Sequence, residues 1–242
     1  MLFRSVAVYY VADDGSLTRM NTRYSGGKVE FTTSHFSNYV IVYDPELVAT
    51  CPKDDSCPVS DYSDVDADAW YHDGVHFVIA NGFMIGYGDG SFGIDDSLTR
   101  AAAAQILWNM EGRPASEYEM KFTDVDKDAW YADAVRWAAE KGIVTGFESG
   151  DFRPEENVTR EQLAAMLYRC AQSKGQGFTG MWMFRLSFED AAEISDWANE
   201  AVHWMVMNGV INGKTESTLE PKSFASRAEA ATMIMRFALL DK

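Results

Sequence analysis

The chain has 242 residues, of which 47% are hydrophobic and 13% aromatic, and it carries a formal net charge of -16. This composition can build a substantial core, so the chain is predicted to fold. The negative charge argues against a nucleic acid or an anionic membrane surface as the main partner, because both would be repelled. No apolar run is long enough to span a membrane, so no membrane insertion is predicted. An anionic ligand would need a local cluster of cations.

Residues 1–44 predict β structure. Val6–Val11 is a run of β-branched and aromatic residues, and Asp13-Asp14-Gly15 is a turn signal. Further strands are predicted over 29–33 and 39–43. We expect these strands to form a small antiparallel β segment that is the end of a larger β domain cut at Met1.

Residues 45–60 have the composition of a linker, with prolines at 45, 52 and 58. We place the boundary between the β segment and the rest of the chain here. Cys51 and Cys57 are close enough in sequence to pair as a disulfide, and the alternative is two free thiols.

From residue 61 a unit repeats three times. Each copy has the same spacing of thirty residues from a Trp to an Arg: Trp70 to Arg100, Trp130 to Arg160 and Trp197 to Arg227. Each copy opens with an aromatic residue followed by an aspartate, namely Asp64, Asp124 and Asp190. A glycine follows each Trp by sixteen positions: Gly86, Gly146 and Gly213. Fixed spacing of several residue types indicates an internal repeat. The predicted repeats are 61–113, 120–172 and 187–242, with 173–186 as an insertion loop.

Each repeat contains two predicted helices. In the middle copy, apolar or small residues follow Trp130 at helical spacing, and Gly142 fits the left-handed position that ends a helix. The second helix begins after Thr159, and Gln162 completes a capping box with it. Cys170 falls on the apolar face of this helix and is predicted to be a buried packing cysteine. One helix pair cannot bury its own apolar face, so we expect the three copies to share a core in a mainly α fold.

The repeated motifs resemble the S-layer homology domain family. They are Phe122-Thr-Asp-Val125 with Trp130-Tyr131, then Lys141 to Gly146, then Val158 to Glu161, and their counterparts in the other copies. The resemblance implies a pseudo-threefold helical arrangement whose inter-repeat grooves bind secondary cell wall polysaccharide, commonly through a pyruvylated amino sugar. It also implies non-covalent anchoring of an extracellular protein in the cell wall or S-layer. The signal peptide and any catalytic domain would then lie upstream of this chain.

Arg100, Arg160 and Arg227 each follow a helix N-cap, where a cation opposes the helix macrodipole. One interpretation is that a sugar carboxylate binds there, to free backbone N–H groups and to the guanidinium. The alternative is that each Arg pairs with an aspartate of its own or an adjacent repeat and fixes the packing between repeats. Both interpretations stay open at this point.

Two other residue classes complete the candidate site. Trp70, Trp130 and Trp197 are predicted to form an aromatic stripe along each first helix with Phe77, Trp137 and Trp204, either as a sugar platform or as core. The glycines sixteen positions on either let a ligand approach the backbone or permit a turn. The candidate ligand-binding residues are Arg100, Arg160, Arg227, Asp64, Asp124, Asp190, Trp70, Trp130, Trp197, Gly86, Gly146 and Gly213.

Other classes of site have less support. Asp64–Asp68 and Asp124–Asp128 imitate the start of an EF-hand loop but lack its Gly and its final Glu. The four histidines form no metal-spaced pair on a supported site, so no metal or cofactor is predicted. No nucleophile motif occurs and no enzyme activity is predicted, although a glycosidase carboxylate pair stays open.

The stronger rival is a protein-interaction or self-assembly module of the cell envelope or S-layer that binds no glycan directly. The repeats also depart from one another. Lys214 stands in copy three where the other copies have an aromatic residue, and copy one lacks the acid after the Arg. We therefore expect the grooves to be unequal.

Overall fold

The computed structural model describes residues 6–12, 14–20, 22–25, 28–31, 33, 37–43, 51, 53, 57–180 and 183–240. The chain divides into two compact units, Met1–Phe92 and Gly93–Lys242. The boundary between them falls inside the first repeat. The domain limits given above remain predictions.

The first unit begins with five short strands: β1 (Val6–Val11), β2 (Leu17–Arg19), β3 (Thr22–Ser25), β4 (Lys28–Phe31) and β5 (Asn38–Tyr43). Strand β1 pairs antiparallel with both β2 and β5, and the order of this sheet is β2-β1-β5. Strands β3 and β4 form a separate antiparallel pair. The predicted antiparallel β segment is confirmed, and the turn predicted at Asp13 lies partly outside the described residues.

The repeats supply six helices in the described part of the chain: α1 (His72–Ala80), α2 (Arg100–Met110), α3 (Ala132–Glu140), α4 (Arg160–Ser173), α5 (Asn199–Met207) and α6 (Arg227–Ala238). The prediction of two helices per repeat in a mainly α fold is therefore confirmed. Among these helices none is both long and apolar enough to cross a membrane. Two short 3-10 turns, Ala191–Glu193 and Asp196–Ala198, precede α5.

The helices begin and end for local reasons. The side chain of Thr159 accepts a hydrogen bond from Gln162 N–H, and the Gln162 side chain accepts one from Thr159 N–H, so the predicted capping box is present. Ser226 and Glu229 form the same box at α6. Gly142 follows α3 with a φ of 68°, the left-handed conformation that ends a helix.

In the second unit, the second helix of one repeat packs on the first helix of the next, with α2 on α3 and α4 on α5. Leu163, Leu167 and Ile143 are fully buried in this core. Cys170 is also buried, as predicted.

The segments that precede α2, α4 and α6 form a closed ring of three backbone hydrogen bonds. Leu98 N–H donates to Ala225 O over 2.9 Å, Ala225 N–H to Val158 O over 3.0 Å, and Val158 N–H to Leu98 O over 2.8 Å. Each segment therefore donates to one neighbour and accepts from the other. The three second helices start from this ring in a pseudo-threefold arrangement.

Candidate functional site

The three candidate arginines are the first residues of α2, α4 and α6, and their exposed fractions are only 8%, 5% and 8%. The Nε–H of Arg100 donates to Phe152 O over 2.7 Å, and that of Arg160 donates to Leu219 O over 2.9 Å. Each of these two side chains thus reaches from one repeat into a loop of the next. They fix inter-repeat packing as the alternative interpretation proposed, but through backbone carbonyls in place of aspartates.

The N–H groups at the start of the second helices are already bonded. Arg100 N–H donates to Glu156 O and Ala101 N–H to Pro154 O, both over 2.9 Å. The equivalent donors of α4 and α6 bond to loop carbonyls of the neighbouring repeat in the same way. The prediction that free N–H groups here receive a sugar carboxylate is therefore wrong. The partial negative charges of these carbonyl oxygens face the positive end of each helix macrodipole.

The three candidate aspartates hold loop backbone. Asp124 Oδ1 and Oδ2 accept N–H groups from Phe152 and Arg153 over 2.7 and 2.6 Å. Asp190 accepts those of Leu219 and Glu220 over 2.8 and 2.7 Å. In the first unit, Asp64 Oδ1 accepts Phe92 N–H over 2.7 Å.

The pKa of Asp190 is lowered overall. Burial acts to raise it, but the two backbone N–H groups from Leu219 and Glu220, with help from the Arg160 charge, outweigh the burial. The ionised carboxylate is thus the form that this loop stabilises.

The candidate glycines make room for an aromatic ring. A Cβ on Gly146 would lie within 3 Å of the Phe122 ring and of Asp151 O, and Gly213 meets Phe188 in the same way. In the first unit, Tyr62 packs on Gly86. Gly86 and Gly213 do not have positive φ, so a turn requirement explains only Gly146, whose φ is 68°. Close ring packing accounts for the glycine in all three copies.

The candidate tryptophans lie on the surface. Trp70, Trp130 and Trp197 are 66%, 65% and 54% exposed. Trp130 contacts the ring of Tyr131 edge-on at a centroid distance of 5.2 Å, and Trp70 contacts Tyr71 similarly.

The aromatic residues seven positions on, Phe77, Trp137 and Trp204, are buried. The prediction of a single aromatic stripe is therefore wrong, because each Trp of the first set precedes the helix and the second set lies within it. The second set is core, as the packing interpretation required. The rings of Trp70, Trp130 and Trp197 are exposed, so a ligand could contact them.

Arg100 lies in a cluster that we call the Arg100 seam, formed by Arg100, Phe147, Phe152 and Arg153. The Arg100 guanidinium lies over the rings of Phe147 and Phe152, at 4.8 and 4.9 Å from their centroids. Arg153 lies over the Phe147 ring at 4.0 Å. Burial lowers the pKa of Arg100, which Glu156 partly counteracts, but an arginine remains protonated at neutral pH. The seam therefore brings two cations to one aromatic ring.

The outer edge of the Arg100 guanidinium, formed by Nη1 and Nη2, makes no hydrogen bond within the described residues, whereas its Nε–H bonds to Phe152 O. Among the described residues, Gln105 Oε1 is the only fully buried side-chain nitrogen or oxygen without a hydrogen-bond partner. Nη1 and Nη2 therefore keep some contact with solvent, although the residue as a whole is only 8% exposed.

Arg160 lies in a different environment, the Arg160 seam, formed by Arg160, Asn212, Lys214 and Glu229. Arg160 Nη2 donates to Asn212 O over 2.9 Å, and Nη1 lies 3.5 Å from Glu229 Oε1. Lys214 Nζ lies 3.4 Å from the same Glu229 oxygen. Both terminal nitrogens of Arg160 therefore have partners within the protein. The two seams differ in this respect, because Nη1 and Nη2 of Arg100 make no hydrogen bond within the described residues.

Sequence reasoning missed Arg153 as a member of the site. At the equivalent position the first repeat has Gly93 and the third has Glu220. The candidate residues were those shared by all three copies, and Arg153 occurs in only one copy. A search for differences between copies would have found it.

These features define a protein of paired-helix repeats with linked inter-repeat loops. The family profile described as the S-layer homology domain matches residues 61–104, 121–164 and 187–231. These matches cover more than half of the chain, which therefore belongs to the S-layer homology domain family.

Several characterised proteins are similar to the chain. An amylopullulanase of Thermoanaerobacterium thermosulfurigenes is 29% identical over 99% of the chain, and the match covers 12% of that protein. The surface-layer 125 kDa protein of Lysinibacillus sphaericus is 32% identical over 67% of the chain, covering 13% of that protein. A cellulosome-anchoring protein of Acetivibrio thermocellus is 27% identical over 64% of the chain, covering 35% of that protein. The chain thus spans only a minor part of each of these relatives.

Proposed function

We propose that this chain anchors a bacterial surface protein to the cell wall without a covalent bond, outside the cell. Its membership of the S-layer homology family supports this role. The names of two relatives, a surface-layer protein and a cellulosome-anchoring protein, support it as well. The β segment then belongs to the part that the anchor presents.

The bound polymer is an acidic secondary cell wall polysaccharide with a pyruvylated amino sugar. The observation that carries this assignment is the unbonded Nη edge of Arg100 beside Arg153, in a chain whose net charge is -16. A pyruvate ketal presents a carboxylate, which a guanidinium can bind through two parallel N–H donors. Since the Nε–H is fixed by Phe152 O, the guanidinium is already oriented before the ligand arrives.

The other candidate residues have separate roles in this proposal. The exposed rings of Trp70, Trp130 and Trp197 stack on sugar faces, because an apolar ring face suits the apolar face of a pyranose. The aspartates and glycines shape the loops that carry the ligand contacts. Arg160 holds the Arg160 seam, whose groove binds the polymer more weakly than the Arg100 seam because both terminal nitrogens of Arg160 are already engaged.

A role without catalysis fits the comparisons. The chain aligns with 12% of an amylopullulanase and 16% of an exoglucanase. Their names describe enzymes, and most of the length of each lies outside the match. We propose that this chain attaches and does not catalyse.

The test is sedimentation of the chain with purified cell walls before and after acid extraction of the secondary polymer. Arg100→Gln and Arg153→Gln are expected to leave most of the chain in the supernatant. Arg136→Gln is the matched control, because Arg136 pairs with Asp133 on the exposed side of α3 and lies outside the seam. Helical circular dichroism checks that each variant is folded.

Binding that survives the extraction unchanged would overturn the polysaccharide assignment. Equal loss in Arg136→Gln would show that any lost positive charge weakens binding, and would remove the Arg100 seam from the proposal.

A self-assembly module of the envelope or S-layer is the second candidate. Exposed apolar side chains on the first repeat favour it, since Ile85 is 76%, Trp70 66% and Tyr87 55% exposed. Sedimentation velocity over a range of concentrations separates the two functions. A monomer that binds intact walls supports anchoring, and concentration-dependent association without wall binding supports assembly.

A further inference from the structure

Four side chains of types that can bind a metal ion lie close together where the segment before the first repeat contacts helix α1. Cys51 and Cys57 come from that segment, His72 is the first residue of α1, and His76 lies one turn later on the same face. The expectation that the histidines form no metal-spaced pair on a supported site overlooked that His72 and His76 are four residues apart on one helix.

The distances between these ligand atoms are short. His72 Nε2 lies 3.1 Å from Cys51 Sγ and 3.6 Å from Cys57 Sγ, and the two sulfurs lie 2.9 Å apart. The three atoms lie within 4.8 Å of one another. His76 Nδ1 lies 3.2 Å from Cys57 Sγ but is not one of these three mutually close ligands, so its ring must move towards them to serve as a fourth ligand.

These distances approach those of a tetrahedral zinc site. With Zn–S of about 2.3 Å and Zn–N of about 2.0 to 2.1 Å, neighbouring ligand atoms lie roughly 3.3 to 3.8 Å apart. The contacts of the sulfurs with the imidazoles are within a few tenths of an ångström of that range. The sulfurs must separate by roughly 0.9 Å to accept the ion.

The surroundings of His72 suit a metal ligand. Its Nδ1 lies 3.1 Å from the Asp66 carbonyl oxygen, so the Nδ1–H donates there and the Nε2 lone pair faces the sulfurs. A hydrogen bond from the second ring nitrogen to a backbone carbonyl is the usual way in which a ligating histidine is oriented. His72 is only 3% exposed, and a buried imidazole needs a partner on each nitrogen.

The cysteines have surroundings that hold their sulfurs in place. Cys57 is buried, and Lys53 N–H donates to Cys51 Sγ over 3.3 Å. Burial raises the pKa of the Cys51 thiol and this hydrogen bond only partly offsets it, so the ligating thiolate forms as the ion binds. Lys53 and Asp68 form an exposed ion pair between the same segment and the first repeat, which adds little stability by itself.

We propose that Cys51, Cys57, His72 and His76 bind one Zn²⁺ ion and thereby fasten the preceding segment to the first helix of the first repeat. Two thiolates and two imidazoles are the ligand set that zinc prefers in closed structural sites. On binding, each thiol releases its proton to solvent, and the imidazoles bind as neutral rings. The ion closes a loop between the segment and α1.

A disulfide between Cys51 and Cys57 is the competing structure. The two cysteines are free, and their sulfurs are farther apart than the roughly 2.05 Å of an S–S bond. In a disulfide the two sulfurs carry no charge and no proton, so they would be poor hydrogen-bond partners for the two imidazoles. The metal site instead gives all four side chains a role.

The test uses the full 242-residue chain, reduced and stripped of metal under anaerobic conditions, and then titrated with Co²⁺. We expect one equivalent to bind with the intense visible bands of tetrahedral Co²⁺ and a thiolate charge-transfer band, and Zn²⁺ to displace it. Native mass spectrometry of the Zn²⁺-loaded chain should show one bound ion. The readout does not involve cell walls, so it is independent of the anchoring proposal.

Variants assign the ligands. Cys57→Ser is expected to abolish the tetrahedral spectrum, and His76→Ala to lower the affinity at least about tenfold. His203→Ala, on α5, is the control and should titrate like the unmodified chain. A titration of the unmodified chain that yields only the weak spectrum of octahedral Co²⁺ would overturn the site. A Cys57→Ser spectrum identical to that of the unmodified chain, or a disulfide that forms in the presence of excess Zn²⁺, would also overturn it.

Discussion

Arg100 and Asp124 act on the same residue, Phe152, from opposite sides of its backbone. Asp124 Oδ1 accepts the Phe152 N–H over 2.7 Å, and Arg100 Nε–H donates to the Phe152 carbonyl oxygen over 2.7 Å. Asp190 and Arg160 hold Leu219 in the same way in the next repeat. The aspartate and the arginine are therefore coupled through a loop residue, and this coupling ties each loop to the preceding repeat.

We expect Arg160 to matter more for stability than Arg100. Arg160 donates to two carbonyls and lies beside the buried carboxylate of Glu229, whereas Arg100 donates to one carbonyl. Arg160→Ala should lower the free energy of unfolding by roughly 3 to 5 kcal/mol, because the buried carboxylate of Glu229 then loses one of its cationic partners. Arg100→Ala should cost about 1.5 to 3 kcal/mol.

Urea unfolding of both variants measures this difference. Equal losses, or a larger loss for Arg100→Ala, would contradict the description of the two seams. A chain with Arg160→Ala that no longer binds walls has to be checked for folding first, since this arginine has a structural role.

Gly146 and Gly142 form a matched pair for testing the aromatic packing. Both have a φ of 68°, but a Cβ on Gly142 meets nothing within 4 Å, whereas a Cβ on Gly146 meets the Phe122 ring and Asp151 O. Gly142→Ala should cost about 1 to 2 kcal/mol for the left-handed backbone alone. Gly146→Ala should cost about 1 to 3 kcal/mol more, from overpacking.

Thermal or urea unfolding of the two variants gives the comparison directly. Similar losses would mean that the backbone conformation alone requires glycine at position 146, and that the ring of Phe122 can move aside.

Asp190 should make stability depend on pH at the acidic end. Its pKa in the folded chain is lowered, because the N–H groups of Leu219 and Glu220 outweigh the effect of burial. The carboxylate therefore stabilises the fold above the pKa that it has in the unfolded chain. This contribution is lost as the pH falls through the lower, folded-state pKa.

Asp190→Asn should accordingly be less stable than the unmodified chain at neutral pH, and the difference should shrink on acidification. Urea midpoints across this range measure it. Glu216→Gln, which changes an exposed acid of the same repeat, controls for the loss of one negative charge. A difference for Asp190→Asn that stays constant down to strongly acidic pH would contradict the mechanism.

Much of the fold follows from local sequence. The capping box at Thr159 and the glycine after α3 set helix ends through contacts within a few residues, so the pattern alone predicts them. The three-copy spacing likewise indicates the repeats and the family. These features depend on neighbours in the chain, and the sequence displays such neighbours directly.

Apart from Arg153, the features that sequence reasoning missed depend on residues that are not neighbours in the chain. The N–H of Arg100 bonds to Glu156 O, a contact that exists only once two repeats are packed together. The group formed by Cys57 and His72 joins the preceding segment to a helix. Residue types and periodicity cannot show which loops meet, so the candidate N-terminal anion site was wrong and the metal-ligand group was passed over.

The exposed and buried tryptophans of the second repeat provide the final prediction. Trp130 is 65% exposed, whereas Trp137, seven positions later, is buried in α3. Trp130→Ala should change the free energy of unfolding by no more than about 0.5 kcal/mol. If its ring stacks on the polymer with about 0.5 to 1.5 kcal/mol, wall affinity should fall roughly two- to tenfold.

Trp137→Ala serves as the contrast, since it should cost about 3 to 5 kcal/mol of stability and weaken binding only as far as the chain unfolds. Wall sedimentation and urea unfolding, run on both variants under the same conditions, separate the two effects. Full wall affinity in Trp130→Ala would remove the exposed tryptophan from the binding surface and leave the Arg100 seam as the contact to be tested.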